Sequence, residues 1–332
     1  ALHNTEFKKT QRARMLRGEK PEECSYCWRA EATANLSDRH YRSGEPWAAE
    51  HYEKILAEDP LTWNVNPAYV EVNFSNVCNL RCSYCSPQFS STWAQEIARL
   101  GAYPTSHRHN DPSHFVGERA VIPNREHNPY LDAFWRWWPN LYPQLKHFRM
   151  TGGEPILDKN TYRVFDYVLA NPKPNLHLNV TSNFSVDEKS WQKYKGYLKQ
   201  LCQEGVLEHF MQYISLDGWG AQAEYMRHGM NFDLLWDRVN QFLTEIPGRN
   251  SVTFIITMNN LMNMVAPVPQ FNRPTQSFNP IAMAQMLRGR TPPMNMMGVQ
   301  YPQMTGVAGM GNAMGTGIIP PNINYLGNLY GY

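Results

Sequence analysis

The sequence has little of what marks a membrane protein or a nucleic-acid-binding protein. No apolar run approaches the roughly 20 residues that a membrane-spanning helix needs. The formal net charge is only +2, which leaves no basic surplus for a specific nucleic-acid partner. The first residues, ALHNTEFKKTQRARML, are polar and charged, unlike a secretion signal. These absences predict a globular cytoplasmic protein without a membrane partner.

Acidic residues and lysine are absent from the last part of the chain. From residue 261 onward there is no Asp, Glu or Lys, and Met, Gly, Pro and Asn dominate. No helical or strand period persists there, so residues 262–332 are predicted to form a disordered, low-complexity tail. The thioether groups of the methionines suit Cu(I), but the composition favours a tail without a metal site.

Cysteine is scarce and unevenly distributed. The six cysteines are Cys24, Cys27, Cys78, Cys82, Cys85 and Cys202. A disulfide framework spreads its cysteines to link distant segments, whereas five of these six lie in two tight groups. The isolated Cys202 is predicted to be a buried thiol on a helix. In a chain without a secretion signal, clustered thiols indicate ligands of a metal ion or an iron–sulfur cluster.

Strand patterns alternate with helical patterns through the middle of the chain. Residues 1–66 are predicted to form a helical N-terminal region, and residues 67–261 a core with an insertion at 101–144. The core contains five strand-like segments: AYVEVNFS, LKHFRMT, LHLNVTS, HFMQYISLDG and SVTFIIT. Helical patterns separate them, which predicts an α/β fold of parallel βαβ units with right-handed crossovers. The pattern allows either a barrel-like or a doubly wound sheet.

The most informative stretch is the cysteine loop, SNVCNLRCSYC, directly after the first strand. Cys78, Cys82 and Cys85 have the spacing C-x3-C-x2-C. A structural zinc site needs four ligands, and a redox dithiol needs two thiols. Three thiolates on one short loop suit a 4Fe–4S cluster whose fourth iron is left open to a small molecule. A zinc site with a remote fourth ligand is the alternative.

This loop and its context resemble the radical S-adenosylmethionine superfamily. Tyr84 is the aromatic residue before the last cysteine, TGGEP ends the second strand, TSN closes the third and SLDG the fourth. The resemblance covers about residues 67–261 and implies a partial (β/α)6 TIM-like barrel with about five strands present. It implies that an electron from flavodoxin or ferredoxin cleaves S-adenosylmethionine, and that a 5′-deoxyadenosyl radical then abstracts hydrogen from a substrate.

The same resemblance implies a set of cofactor-binding residues in the glycine-rich turn. Gly152 and Gly153 would let the backbone approach S-adenosylmethionine, and Pro155 would fix the turn. Glu154 would lie near the ammonium group of the cofactor. GGEP alone is an ordinary strand-to-helix turn, and its place one strand after the cysteine loop is what favours a functional role.

A second set of implied cofactor contacts lies in the loop and at the ends of the later strands. The set consists of Tyr84, Asn183, Ser215, Asp217 and Arg227. Asn183, Ser215 and Asp217 would bind the ribose or the carboxylate of the cofactor, or shape the substrate pocket. Arg227 would pair with the carboxylate, since a guanidinium fork matches a carboxylate. The alternative is that they are helix caps and surface ion pairs.

Cys24 and Cys27 form a separate C-x2-C pair, a spacing that suits zinc, a redox pair or part of a cluster site. The surrounding GEKPEECSYCWRAE, followed by Ser37 and Arg39, resembles the N-terminal region of the twitch-domain group of the superfamily. That resemblance implies a partial auxiliary site for a second iron–sulfur cluster and a peptide or protein substrate. The chain is expected to be incomplete at both ends, because two auxiliary ligands and a sixth strand are missing from the pattern.

Two alternatives to an active radical enzyme stay open at this point. One is a non-enzymatic scaffold that binds zinc through its cysteine loops, although such a protein has no need of GGEP or SLDG. The other is a truncated, inactive homologue that holds the cluster without turning over.

Overall fold

The chain divides into two units, Ala1–Thr257 and Met258–Tyr332. The computed structural model describes residues 2–102, 113, 121–124 and 126–257. The tail predicted at 262–332 and most of the first half of the insertion predicted at 101–144 therefore lie outside the described residues. The fold and the site described below belong to the first unit.

Short helices form the N-terminal region. They are α1 (Glu6–Leu16), α2 (Ser25–Ala32), α3 (Asp38–Ser43), α4 (Pro46–Ala49) and α5 (Tyr52–Ala57). The stretch PWAAEHYEKILAED, whose acidic and basic residues have the spacing of one helix, thus forms two helices. Trp47 of α4 stacks on Tyr69 with ring centroids 5.1 Å apart, whereas Ile55 and Leu56 of α5 stay exposed. No common buried face therefore holds the two segments in one helix.

The described residues then form seven strands in two sheets. They are β1 (Tyr69–Asn73), β2 (Arg81–Cys82), β3 (His147–Thr151), β4 (Lys173–Ser182), β5 (Leu207–Ser215), β6 (Arg227–His228) and β7 (Asn250–Ile255). The five-stranded sheet is parallel throughout and has the order β1-β3-β4-β5-β7. Each strand pairs with the previous long strand, which is the order of a barrel-like sheet, whereas a doubly wound sheet reverses direction partway. The predicted α/β fold with a partial barrel is confirmed.

Helices connect these strands and bury one face of the sheet. They are α6 (Ser91–Leu100), α7 (Pro129–Leu141), α8 (Lys159–Ala170), α9 (Glu188–Leu201), α10 (Ala221–Met226) and α11 (Phe232–Glu245). Phe148, Leu178 and Phe210 are neighbours in register and are fully buried. Helix residues Phe165 and Trp191 belong to the same core. None of the helices in the described part of the chain is long and apolar enough to cross a membrane.

Helix α7 lies within the segment predicted as an insertion. Its aromatic sequence FWRWWPNL places Trp138 and Leu141 in the core, where both are almost completely buried. The Trp138 ring meets Phe148 of β3 edge-on, with centroids 4.8 Å apart. The part of the segment that forms α7 therefore belongs to the first crossover of the sheet.

The strand residues that alternate with the buried apolar ones are polar. His147, His177 and His209 lie side by side in register, with ring centroids 4.4 and 6.1 Å apart. Burial lowers the pKa of all three imidazoles. Two residues further along β1 and β3, Arg149 Nη1 lies 3.6 Å from Glu71 Oε2. The face of the sheet opposite the buried apolar residues is therefore polar. The cysteine loop begins at the carboxyl end of β1.

Candidate active site

The first turn of α6 holds the cysteine loop. Ser91 Oγ accepts a hydrogen bond from the Cys78 amide at 3.1 Å and lies 3.2 Å from the Cys78 carbonyl oxygen, to which it donates. The Trp93 indole donates to the Cys82 carbonyl at 2.9 Å. Ser90 caps the helix by accepting from the Trp93 amide. The loop conformation is therefore set by the SSTW sequence that follows it as much as by its own residues.

A second attachment joins the loop to the segment after β5. Strand β2 pairs antiparallel with β6, so that Cys82 lies opposite Arg227. The Ser83 amide then donates to the Met226 carbonyl at 2.8 Å. This pairing brings an arginine to a cysteine that precedes it by 145 residues.

The three thiols of the loop are largely withdrawn from solvent. Cys82 is buried, and Cys78 and Cys85 are partly buried against the core. Burial raises the pKa of all three thiols, that of Cys85 to about 12, and the neighbouring thiols add to the effect on Cys78 and Cys85. A cation that binds here must therefore displace protons from the sulfurs.

Three cysteine sulfurs on one short loop are the donor type that iron–sulfur clusters use. Two of the sulfurs already accept N–H groups, Cys78 from the Leu80 amide at 3.4 Å and Cys82 from Arg227 at 3.7 Å. Hydrogen bonds to sulfur are a regular part of such sites. Within the described ranges, no three His, Cys, Asp or Glu side chains are grouped so as to hold one metal ion. A cluster does not require such a group, because each thiolate of a cluster site binds a different iron.

A buried polar network lies beside Cys82. Arg227 Nη2 donates to Asp217 Oδ1 at 2.9 Å, and its Nε lies 2.8 Å from Oδ2. Asp217 also accepts hydrogen bonds from the Tyr84 hydroxyl and from the Thr257 amide. The structure therefore brings Tyr84, Asp217 and Arg227 together. They contact one another, the Cys82 sulfur and the Thr257 amide, and a role in binding a cofactor stays a prediction.

The glycine-rich turn is closed against the cysteine loop. Gly152 has φ of +93°, and a Cβ there would lie 1.9 Å from the Asn73 side chain. A Cβ on Gly153 would lie 2.3 Å from the Val77 carbonyl oxygen, to which the Glu154 amide donates. Both glycines are thus required by the close approach of protein groups, independently of any bound molecule.

Glu154 joins the ends of two neighbouring strands. Its Oε2 accepts from the Asn183 amide at 2.7 Å, and its Oε1 accepts from the Ile156 amide at 3.1 Å. The Asn183 side chain in turn donates to Asn79 Oδ1, inside the cysteine loop, at 3.0 Å. Both carboxylate oxygens are engaged by the protein, and complete burial raises the pKa of Glu154 to about 7.

Replacement of Glu154 by glutamine should change how stability depends on pH. Because the pKa in the folded chain is about 7 against an ordinary 4.5, the folded state binds this proton more tightly than the unfolded state. The contribution of the protonated Glu154 carboxyl to the unfolding free energy is fully present below pH 4.5 and is lost as the pH rises through 7. Relative to the parent chain, Glu154→Gln should gain about 3 kcal/mol in unfolding free energy between these pH values. Denaturant unfolding of both chains at pH 4.5 and pH 8 measures this difference, and a constant difference would contradict the prediction.

The remaining predicted residues of the sheet lie at strand ends. Pro155 is buried at the start of a short 3-10 turn after the glycines. Ser215 is the last residue of β5 and pairs in register with Ile255 of β7. Both lie at the same edge of the sheet as the cysteine loop, as expected for carboxyl ends of parallel strands.

The N-terminal cysteine pair lies at the start of α2. Cys24 precedes this helix, Cys27 is in its first turn, and burial raises the pKa of Cys24. Close by, the Arg39 guanidinium donates to both oxygens of Glu31, at 2.7 and 2.8 Å, and lies over the Trp28 ring. Among the residues that the structure describes, no third metal-ligating side chain joins the pair. An auxiliary site at Cys24 and Cys27 stays a prediction.

Arg238 holds the loop after β4, a role that none of the sequence motifs suggests. Its Nη1 donates to the carbonyls of Phe184 and Val186 at 2.8 and 2.6 Å. These residues form the loop after β4 that also carries Asn183. One sequence signal could have revealed this residue. It is the single arginine of α11 and lies between the buried residues Leu235 and Phe242.

Comparisons with known proteins give distant structural similarity only. No protein-family model and no curated protein matches the chain. The solved structure of anSMEcpe with bound AdoMet is similar over 55% of this chain and 42% of its own, with 16% identity and a TM-score of 0.32. SuiB of Streptococcus suis bound to precursor peptide SuiA is similar over 64% and 37%, with 14% identity and a TM-score of 0.36.

The structure of SuiB bound to S-adenosylmethionine is similar over 71% of this chain and 44% of its own, with 13% identity and a TM-score of 0.36. The chain thus spans less than half the length of each of these proteins. At this level of similarity, function is inferred from the geometry of the site itself.

Proposed function

We propose that this chain is an iron–sulfur enzyme that uses S-adenosylmethionine, of the radical S-adenosylmethionine superfamily. One observation carries the proposal. The C-x3-C-x2-C loop leaves the carboxyl end of β1 and is closed by the glycine-rich turn after β3, through the hydrogen bond from Glu154 to Val77. Active sites of barrel-like α/β folds lie at this end of the strands.

In this proposal Cys78, Cys82 and Cys85 would hold a 4Fe–4S cluster, and the fourth iron would bind S-adenosylmethionine. Bound together, the two would supply one-electron reductive cleavage of the sulfonium and hydrogen abstraction from a substrate. The electron would come from flavodoxin or ferredoxin, which implies a cytoplasmic location.

The residues around the loop would orient the cofactor and exclude water. The backbone of Gly152 and Gly153 forms the wall nearest the loop, and Glu154 holds that wall to the end of β4. Asn183 and Ser215 would bind the ribose or the carboxylate of S-adenosylmethionine. Because the thiols are withdrawn from solvent, water would have little access to the bound cluster.

The N-terminal region would contribute an auxiliary function. Cys24 and Cys27 would supply part of a second iron–sulfur site, as in the twitch-domain group. The bidentate Glu31–Arg39 pair lies beside them in this segment. Since proteins with such auxiliary domains commonly modify peptides, the proposed substrate is a peptide or protein.

Anaerobic reconstitution of the full chain with iron and sulfide tests the proposal. After reduction by dithionite, electron paramagnetic resonance should show a reduced cluster whose signal shifts when S-adenosylmethionine is added. Cys82→Ala should abolish the signal because it removes a ligand of the loop. Cys202→Ala is the matched control, because Cys202 is a buried cysteine at the carboxyl end of α9, and it should retain the signal.

Two results would contradict the proposal in different ways. Stoichiometric zinc without a paramagnetic signal would favour the scaffold. A cluster whose signal does not respond to S-adenosylmethionine would identify an inactive homologue. Where the signal does shift with S-adenosylmethionine, formation of 5′-deoxyadenosine under reducing conditions measures turnover.

A further inference from the structure

We propose that Arg227 raises the reduction potential of the cluster through the sulfur of Cys82, as a positioning residue rather than a ligand. The inference rests on the proposed function, because it assigns a role toward the cluster to one of the chain's own side chains. The inference is based on the contact between the Arg227 guanidinium and Cys82 Sγ.

The contact is built into the backbone. Cys82 and Arg227 lie opposite each other in the β2–β6 pair, and the Ser83 amide bonds to the carbonyl of Met226. Within that pairing Arg227 Nη1 donates to Cys82 Sγ at 3.7 Å. Both residues are buried, with 6% of Arg227 and 8% of Cys82 exposed.

The orientation of the guanidinium is fixed from its other side. Asp217 is fully buried and faces Nη2 and Nε of Arg227. Asp217 is itself held by the Tyr84 hydroxyl and by the Thr257 amide. Nη2 donates to the carboxylate, Nε lies 2.8 Å from it without forming a hydrogen bond, and Nη1 faces the sulfur.

A donor in this position favours the reduced form of a cluster. Reduction adds one negative charge, part of which resides on the ligand sulfurs, and hydrogen bonds and positive charge at those sulfurs stabilise it. The effect is larger in a buried site than in water because the effective dielectric constant is lower. The carboxylate of Asp217 balances the net charge, while the N–H group remains directed at the sulfur.

The test is a potentiometric titration of the reconstituted full chain, with dithionite as reductant and the paramagnetic signal as readout. Arg227→Leu should make reduction at a given potential at least tenfold less favourable, which is about 59 mV more negative for one electron. Arg227→Lys keeps the charge but not the planar fork. Its reduction potential should therefore lie between those of the parent chain and Arg227→Leu. Arg249→Gln, in an exposed pair with Glu208, is the control and should match the parent chain.

A double variant separates the sulfur contact from net charge. Arg227→Leu with Asp217→Asn removes the ion pair without changing the net charge, so a negative shift that persists there belongs to the lost contact with Cys82. If the reduction potential of the double variant, or that of Arg227→Leu, equals that of the parent chain, the inference is overturned. Iron and sulfide content is measured for each variant.

The two proposals fail in distinguishable ways. A parent chain that assembles no cluster refutes the proposed function and this inference with it. A parent chain that assembles a cluster, together with variants of unchanged potential, refutes the inference alone. Loss of the cluster from all Arg227 variants, while Arg249→Gln keeps it, would assign the arginine to assembly and also overturn a tuning role.

Discussion

Gly153→Ala should lower the free energy of unfolding by about 3 kcal/mol, at the upper end of the range for overpacked sites. The new Cβ would lie 2.3 Å from the Val77 carbonyl oxygen and 2.8 Å from the carbonyl carbon of Asn76. Both are backbone atoms of the cysteine loop, so no side-chain rotation relieves the overlap. Either the turn or the loop must move, and the hydrogen bond from Glu154 to Val77 would be lost.

Thermal and denaturant unfolding measure this effect, and Gly196→Ala provides the matched control. Gly196 lies inside α9, and a Cβ there would meet nothing within 4 Å. That substitution should stabilise the protein by about 0.5 to 1 kcal/mol, because alanine favours helix more than glycine does. If the two variants were equally stable, the close approach of the turn to the cysteine loop would be disproved. Reconstituted Gly153→Ala should also hold less iron than Gly196→Ala.

Arg238→Met should cost about 3 kcal/mol of stability, because it leaves two buried carbonyl groups without donors. The Arg238 side chain is 1% exposed, and its guanidinium donates to the carbonyls of Phe184 and Val186. Phe184 has φ of +52°, a left-handed conformation that a phenylalanine adopts only when its surroundings hold it there. Loss of the arginine should therefore loosen the loop that carries Asn183.

Arg249→Met is the control for this second prediction. Arg249 pairs with Glu208 at 2.8 Å, but its side chain is 74% exposed, so its loss should cost less than about 1 kcal/mol. Equal midpoints in denaturant for the two methionine variants would contradict the structural role of Arg238. A second readout is limited proteolysis, which should cut the loop after β4 in Arg238→Met sooner than in Arg249→Met.

The strands and most helices were predictable because their signals are local. Leu176, Leu178 and Val180 alternate along LHLNVTS, and all three are fully buried in β4. Ser90 precedes α6 and caps it as its sequence indicates. Period and capping depend on residues a few positions apart, so the sequence alone determines them.

Where prediction fell short, the missing information was tertiary. PWAAEHYEKILAED has the charges of one helix, but it forms α4 and α5, and Trp47 of α4 packs on Tyr69 of β1. The segment FWRWWPNL belongs to the stretch 101–144, which is rich in His, Asn, Pro and Trp and was assigned to an insertion on that composition. Its aromatic residues are explained by burial of α7 against β3, a contact that only the assembled sheet defines.

The candidate site shows the same division. By itself the sequence determined the cysteine spacing, the strand after which it falls and the glycine turn one strand later. Only the tertiary structure decided that Arg227 faces Cys82, that Glu154 is buried between two strand ends, and that Arg238 holds the loop after β4. The reason is physical: burial and charge pairing depend on which segments meet in space, and no local period encodes the partner of a side chain 145 residues away.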